Sequence, residues 1–288
     1  MRTQACICSS QFIFIEIQLL MNKIRIKQPA YCYCLPVFLW LIGMNLCDKT
    51  VGDADPCEES KAGLAKLSIL TVSAVFTHSK NKLKELGKDG REYGLVFGKD
   101  TAGNITASAA RTSGLKNASS SDTDFPGAFA DMHNHPGNTV PSAGDLYSLI
   151  SINRRQASFD TRITVLGNGC AYAIMIFDPI LAANFADRYP PEQTSGFSPR
   201  FPDKLFLEFA ELKSYFINIM GTERTMADEM ATAYILDRYS TGVALLRSNA
   251  AGKFSRVFVT GESDAGTDKK YLLKLCDDSI RSEAAGRN

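Results

Sequence analysis

Hydrophobic and polar positions along the chain alternate with two different periods, and the changes of period mark out its elements. Residues 67–86 carry an apolar stripe at helical spacing through Val72, Val75, Phe76, Leu83 and Leu86, with Gly87 as a stop, which predicts one long helix. Short apolar runs bounded by glycine and polar turns follow at 93–97, 104–110 and 128–133 and read as strands. A helix beginning at Ser142 and running through Leu146, Leu149 and Ile150 comes next, then strands at 162–166 and 171–177 around Gly167-Asn168-Gly169. Beyond a proline-rich connection at 189–202, helices are expected near 203–220 and 226–239, then a hairpin from 242–247 and 254–259. The fold class expected is α/β (α+β), a mixed sheet flanked by helices with a C-terminal helical extension and hairpin.

The pattern divides the chain into a leader at 1–56, a core at 57–190, an extension at 191–262 and a polar tail at 263–288, expected to be disordered. In the leader, basic residues after Met21 precede an apolar run of 17 residues, 30–46, holding the only tryptophan, Trp40. Such an order predicts an export signal beginning at Met21, with 1–20 an upstream extension. Cys47 ends the run and is a candidate for lipidation, although Met44-Asn45-Leu46 lacks the small residue expected before such a cysteine. A cleaved signal or a single membrane anchor are the alternatives, and all three put the domain outside the cytoplasm.

Composition changes little in this picture. At 45% apolar and 22% charged, a 288-residue chain has ample material for a core. A net charge of +1 with scattered basic residues excludes a phosphate-tracking surface, so nucleic acid is not an expected partner. Five of the eight cysteines lie in the leader, so no even disulfide framework is implied for Cys57, Cys170 and Cys276.

Chemistry concentrates in Ala130-Asp131-Met132-His133-Asn134-His135-Pro136, which holds two of the three histidines, followed by Ser142 and Asp145. In a strand, positions i and i+2 project to one face, so both imidazoles point the same way. Ser142 caps the next helix and puts Asp145 in its first turn. Two neutral imidazoles and a carboxylate suit zinc and leave one position open, as catalytic sites do. Taken singly each part is ordinary: Ser-x-x-Asp is a helix-start signature and a lone histidine is usually structural, as His78 is read here. No Cys-x-x-Cys follows the histidines and no His-Glu-x-x-His helix is present, which argues against nucleobase deaminases and helix-borne zinc proteases.

These residues resemble the JAMM motif of MPN-type (JAB domain) metallopeptidases, in which an upstream Glu is followed by HxHP, a loop and SxxD. The resemblance covers about residues 65–190. It implies that His133, His135 and Asp145 bind Zn2+, that Ser142 helps stabilise the tetrahedral intermediate, and that a peptide or isopeptide amide is hydrolysed. The segment from Arg91 to Gly98 matches the family's ExGxxxG strand and makes Glu92 the general base and proton donor, against the ordinary reading of a strand-edge charge. Six residues separate His135 from Ser142, one fewer than the commonest family spacing, while the Ser-to-Asp spacing is kept. The alternatives are an inactive envelope-binding protein of the same fold and a JAB-type toxin effector. A polar segment at 113–124 is placed to border the site as a loop or a lid.

Overall fold

The long helix expected at 67–86 is in fact the end of one helix and the whole of another. In a computed structural model, which describes residues 55–112, 124–193, 199–262 and 270–276, α1 spans Pro56–Thr71 and α2 spans Ala74–Leu86. Thr71 and Val72 are β-branched and Ser73 is extended, its hydroxyl accepting from Phe76 N–H at 3.1 Å, so capping wins over continuation. Val72, assigned to the apolar stripe, is 83% exposed at this break.

Eight strands form one mixed sheet: β1 (Gly94–Lys99), β2 (Ile105–Ala107), β3 (Ala130–His135), β4 (Thr161–Leu166), β5 (Ala171–Ile176), β6 (Val243–Ser248), β7 (Phe254–Glu262) and β8 (Lys270–Leu275). Their spatial order is β2-β1-β3-β4-β5-β6-β7-β8. Only β3 and β4 run parallel, and their crossover is α3 (Ala143–Arg155). The hairpin at the end of the extension joins this sheet by pairing of β6 with β5. The tail also departs from expectation, since β8 pairs with β7 from Val257↔Leu275 to Glu262↔Lys270. Hydrogen bonding to an available edge, with Tyr271 packed against Phe216 and Tyr234, orders the one leucine-bearing run of an otherwise polar tail.

Helices cover both faces. Leu95, Phe97, Met132, Ile163, Val165 and Met175 pack beneath α1 and α2, whereas Val96, Leu166, Ile174, Leu245 and Val257 pack under α3, α4 (Pro179–Arg188), α5 (Asp203–Asn218) and α6 (Arg224–Arg238). Strand alternation thus sorts β3 as well: Ala130 and Met132 go to the α1/α2 face, and Asp131, His133 and His135 to the α3 face. A disulfide joins Cys57 to Cys276, a pairing the cysteine distribution does not indicate. No described helix is long and apolar enough to cross a membrane. Residues 1–54, with the expected signal and Cys47, and 113–123, most of the expected loop or lid, lie outside the described residues.

Candidate metal centre

The centre forms where β3 ends and its crossover helix begins. His133 and His135, two apart on one face of β3, bring their Nε2 atoms to 3.0 Å of each other. Asp145 enters from the first turn of α3, its Oδ1 3.2 Å from His133 Nε2 and its Oδ2 3.6 Å from His135 Nε2. For zinc–ligand bonds of about 2.05 Å, a tetrahedron has edges of about 3.3 Å. The imidazole nitrogens stand near that edge from each other and each stands near it from one carboxylate oxygen, and with one ligand atom per residue all lie within 4.8 Å, so His133, His135 and Asp145 can hold a metal ion.

Local hydrogen bonding prepares two of the three donors, while His133 Nδ1 is buried without a hydrogen-bond partner among the described residues. His135 Nδ1 lies 2.8 Å from the carbonyl of Thr139, an acceptor, which fixes the proton on Nδ1 and leaves Nε2 as a lone pair. Burial, then repulsion from His133, lowers the pKa of His135 and favours the neutral ring a metal needs. Asp145 Oδ2 accepts from Ser142 N–H and Ser142 Oγ, both at 2.7 Å, while Asp145 N–H donates to Ser142 Oγ at 3.2 Å. This reciprocal capping box engages Oδ2 and leaves Oδ1 turned to His133. Burial pushes the Asp145 carboxyl up, but His133, His135 and Arg162 outweigh it and hold it well below the usual carboxylate range.

Three residues not singled out by the sequence reading complete the site. Arg162, buried on β4 beside Asp131, forks that carboxylate with bonds of 3.0 and 2.6 Å. Its Nη1 donates to the Asp145 carbonyl at 3.3 Å and stands 3.8 Å from Asp145 Oδ1. Asn134, facing away from the imidazoles, accepts from Tyr93 N–H at 2.7 Å and donates to Arg91 C=O at 2.9 Å. It clamps the backbone on both sides of Glu92, and Gly87 makes room, since a Cβ there would come within 2.3 Å of Asn134 Nδ2. Thr164, fully buried on β4 and paired with His133, puts its hydroxyl 3.4 Å from His133 Nε2. Buried Asp and Arg in strand patterns do carry a signal, because charges so placed are paired. Asn134 and Thr164 carry none.

Glu92 precedes β1, whose Gly94 stands opposite His133. Val96 lies on the α3 face and Leu95 and Phe97 on the other, so alternation carried back past Gly94 brings Glu92 to the face of the imidazoles. Its carboxyl is pushed up to about 7, chiefly by burial, with His133 opposing and Asp145 adding to the rise. All five residues of the expected site therefore belong to one neighbourhood, Ser142 through its bonds to Asp145. His78 is exposed on α2. Comparison with known protein families and with curated proteins finds no match to this chain.

Proposed function

We propose that this protein is a zinc-dependent hydrolase of the JAMM type, with a JAB/MPN-like core, that cleaves a peptide or isopeptide amide in a peptide or protein substrate. The observation that carries this reading is the gathering of His133 Nε2, His135 Nε2 and the Asp145 carboxylate into one group able to hold a metal, with Glu92, its carboxyl pushed up to about 7 by burial, on the same face of the sheet. When bound there, zinc acidifies a water and polarises a carbonyl. Glu92 takes the proton from the water as its oxygen bonds to the carbonyl carbon and the π pair moves to the carbonyl oxygen. Collapse restores that π bond and breaks the C–N bond, and Glu92 returns the proton to the leaving amine. A carboxylate within reach of both the water and the leaving nitrogen can serve both transfers.

Export is part of the same reading. The Cys57–Cys276 disulfide supports it, since such bridges persist in oxidising compartments. Membrane contact would then run only through the leader or a lipid on Cys47. The decisive experiment is metal analysis of the purified protein, comparing wild type with a His133→Ala, His135→Ala double variant. About one zinc per chain, lost in the variant, is expected; no metal in the wild type would overturn the reading. With zinc established, amide hydrolysis abolished by Glu92→Gln separates an enzyme from a metal-holding binding protein.

A further inference from the structure

A cleft of about 340 Å³ opens at the carboxyl ends of β3 and β4, the one parallel pair of the sheet. Ligands of open α/β sheets bind outside such strand ends, where the connections diverge. Lys84 of α2 and Lys88 just beyond it line the cleft, Gly87 and Gly90 border it with backbone, and Asn134 and Pro136 complete its wall.

The charge of this cleft is positive and largely uncompensated. Lys84 takes part in no ion pair among the described residues, and its ammonium reaches over the turn between β4 and β5, 3.3 Å from where a Cβ on Gly169 would stand. Lys80, one turn earlier on α2, adds a like charge: burial lowers its pKa, and repulsion from Lys84 adds to the fall against an opposing Cys170. Two acids share the corner, and both are engaged. Glu85 pairs with Lys88 at 2.6 Å, with both side chains well exposed, so that pair is weak and gives way to another anion. Asp89 accepts from the Tyr93 hydroxyl and from Arg91 N–H. A carboxylate that enters the cleft therefore meets two ammonium groups able to bind it.

The walls of the cleft lead directly to the reacting groups. Gly90 is two residues from Glu92, and Asn134 and Pro136 flank His135 in the chain. At about 3.3 Å per extended residue, the cleft is two or three residues of substrate away from the metal ligands. Building on the zinc hydrolase reading, we infer that this cleft is a specificity subsite for an acidic residue of the substrate, two or three positions from the amide that is cut, whose carboxylate pairs with Lys84 and Lys88. The substrate class is then an acidic peptide or protein segment. A neutral residue at that position forfeits the pair, and a basic one meets like charge.

The test compares the zinc-loaded wild type with a Lys84→Gln, Lys88→Gln double variant, using acetyl-Glu-Gly-Gly-hydroxamate and acetyl-Gln-Gly-Gly-hydroxamate as probes whose hydroxamate seats on the metal. Both proteins should hold about one zinc per chain. In calorimetric titration the wild type should bind the glutamate probe roughly 3–10-fold more tightly than the glutamine probe, as partly exposed lysine–carboxylate pairs predict, and the double variant should bind the two equally. Only the glutamate probe should shift the backbone amides of Gly87 and Gly90 in nuclear magnetic resonance spectra of the wild type. Equal Kd values in the wild type overturn the inference, as do a preference that persists in the double variant and a failure of both probes to bind. Loss of zinc in the double variant also overturns it, by making the lysines structural. If inorganic phosphate shifts the two glycine amides while the probes bind equally, the cleft holds a free anion and the inference falls. Absence of zinc from the wild type overturns the metal reading instead, and the same glycine amides, followed in the zinc-free protein with both probes, still decide for or against the subsite.

Discussion

Glu92 carries a cost that is measurable without any substrate. Its carboxyl is raised to about 7 in the folded metal-free protein, chiefly by burial, from an ordinary value of 4.5. The folded state therefore binds more protons than the unfolded state between those values, and stability falls as pH rises through that window. Glu92→Gln removes the penalty. The variant should melt higher than wild type at pH 8, by on the order of 1 kcal/mol after discounting for the half-exposed carboxyl, and at the same temperature below about pH 4. A melting series across pH checks this, and equal melting temperatures at pH 8 would show that the burial penalty is already relieved.

At the level of elements, the helix start at Ser142 serves two ends at once. Its capping box closes α3 and presents Asp145 Oδ1 to the imidazoles. Ser142→Ala should cost about 1 kcal/mol of stability and weaken zinc binding on the order of tenfold, readable by thermal melts and by competition with a chelator. This element and the histidine strand could be read from sequence because both depend on local periods and caps. What could not be read depends on distant partners. Ser73 breaks a helix whose stripe looks continuous, because capping chemistry is weighed against packing that only the fold supplies. β8 is a short leucine-bearing run in an otherwise polar tail and gains order from the edge of β7. Arg162 and Thr164 join the site through the parallel register with β3, a pairing across 31 positions that no local pattern encodes. In contrast, the start of α4 is legible in the sequence: Asp178 accepts from Ile180 and Leu181 N–H and is followed by Pro179, an ordinary start signal.

On the scale of the whole molecule, the first and last of the described elements are tied together. Cys57 opens α1, Cys276 follows β8, and Arg256 donates to Pro56 C=O at 2.6 Å and to Asp237 at 2.8 Å, holding the same corner. Replacing both cysteines by serine should lower stability by about 2–4 kcal/mol, a fall in melting temperature of roughly 5–15 °C for a domain of this size. Reducing agent should act on the wild type alike and leave the variant unmoved. The candidate metal centre lies elsewhere on the sheet, so zinc content should be equal in both.

With residues 57 and 276 bridged across a sequence separation of 219, the chain between them forms a covalent ring. A single cut by a protease at any point of a ring opens it without releasing a fragment. In surroundings where proteases are abundant and no machinery refolds damaged chains, this molecule can be nicked once and remain one body, its histidines and its glutamate still tethered to each other.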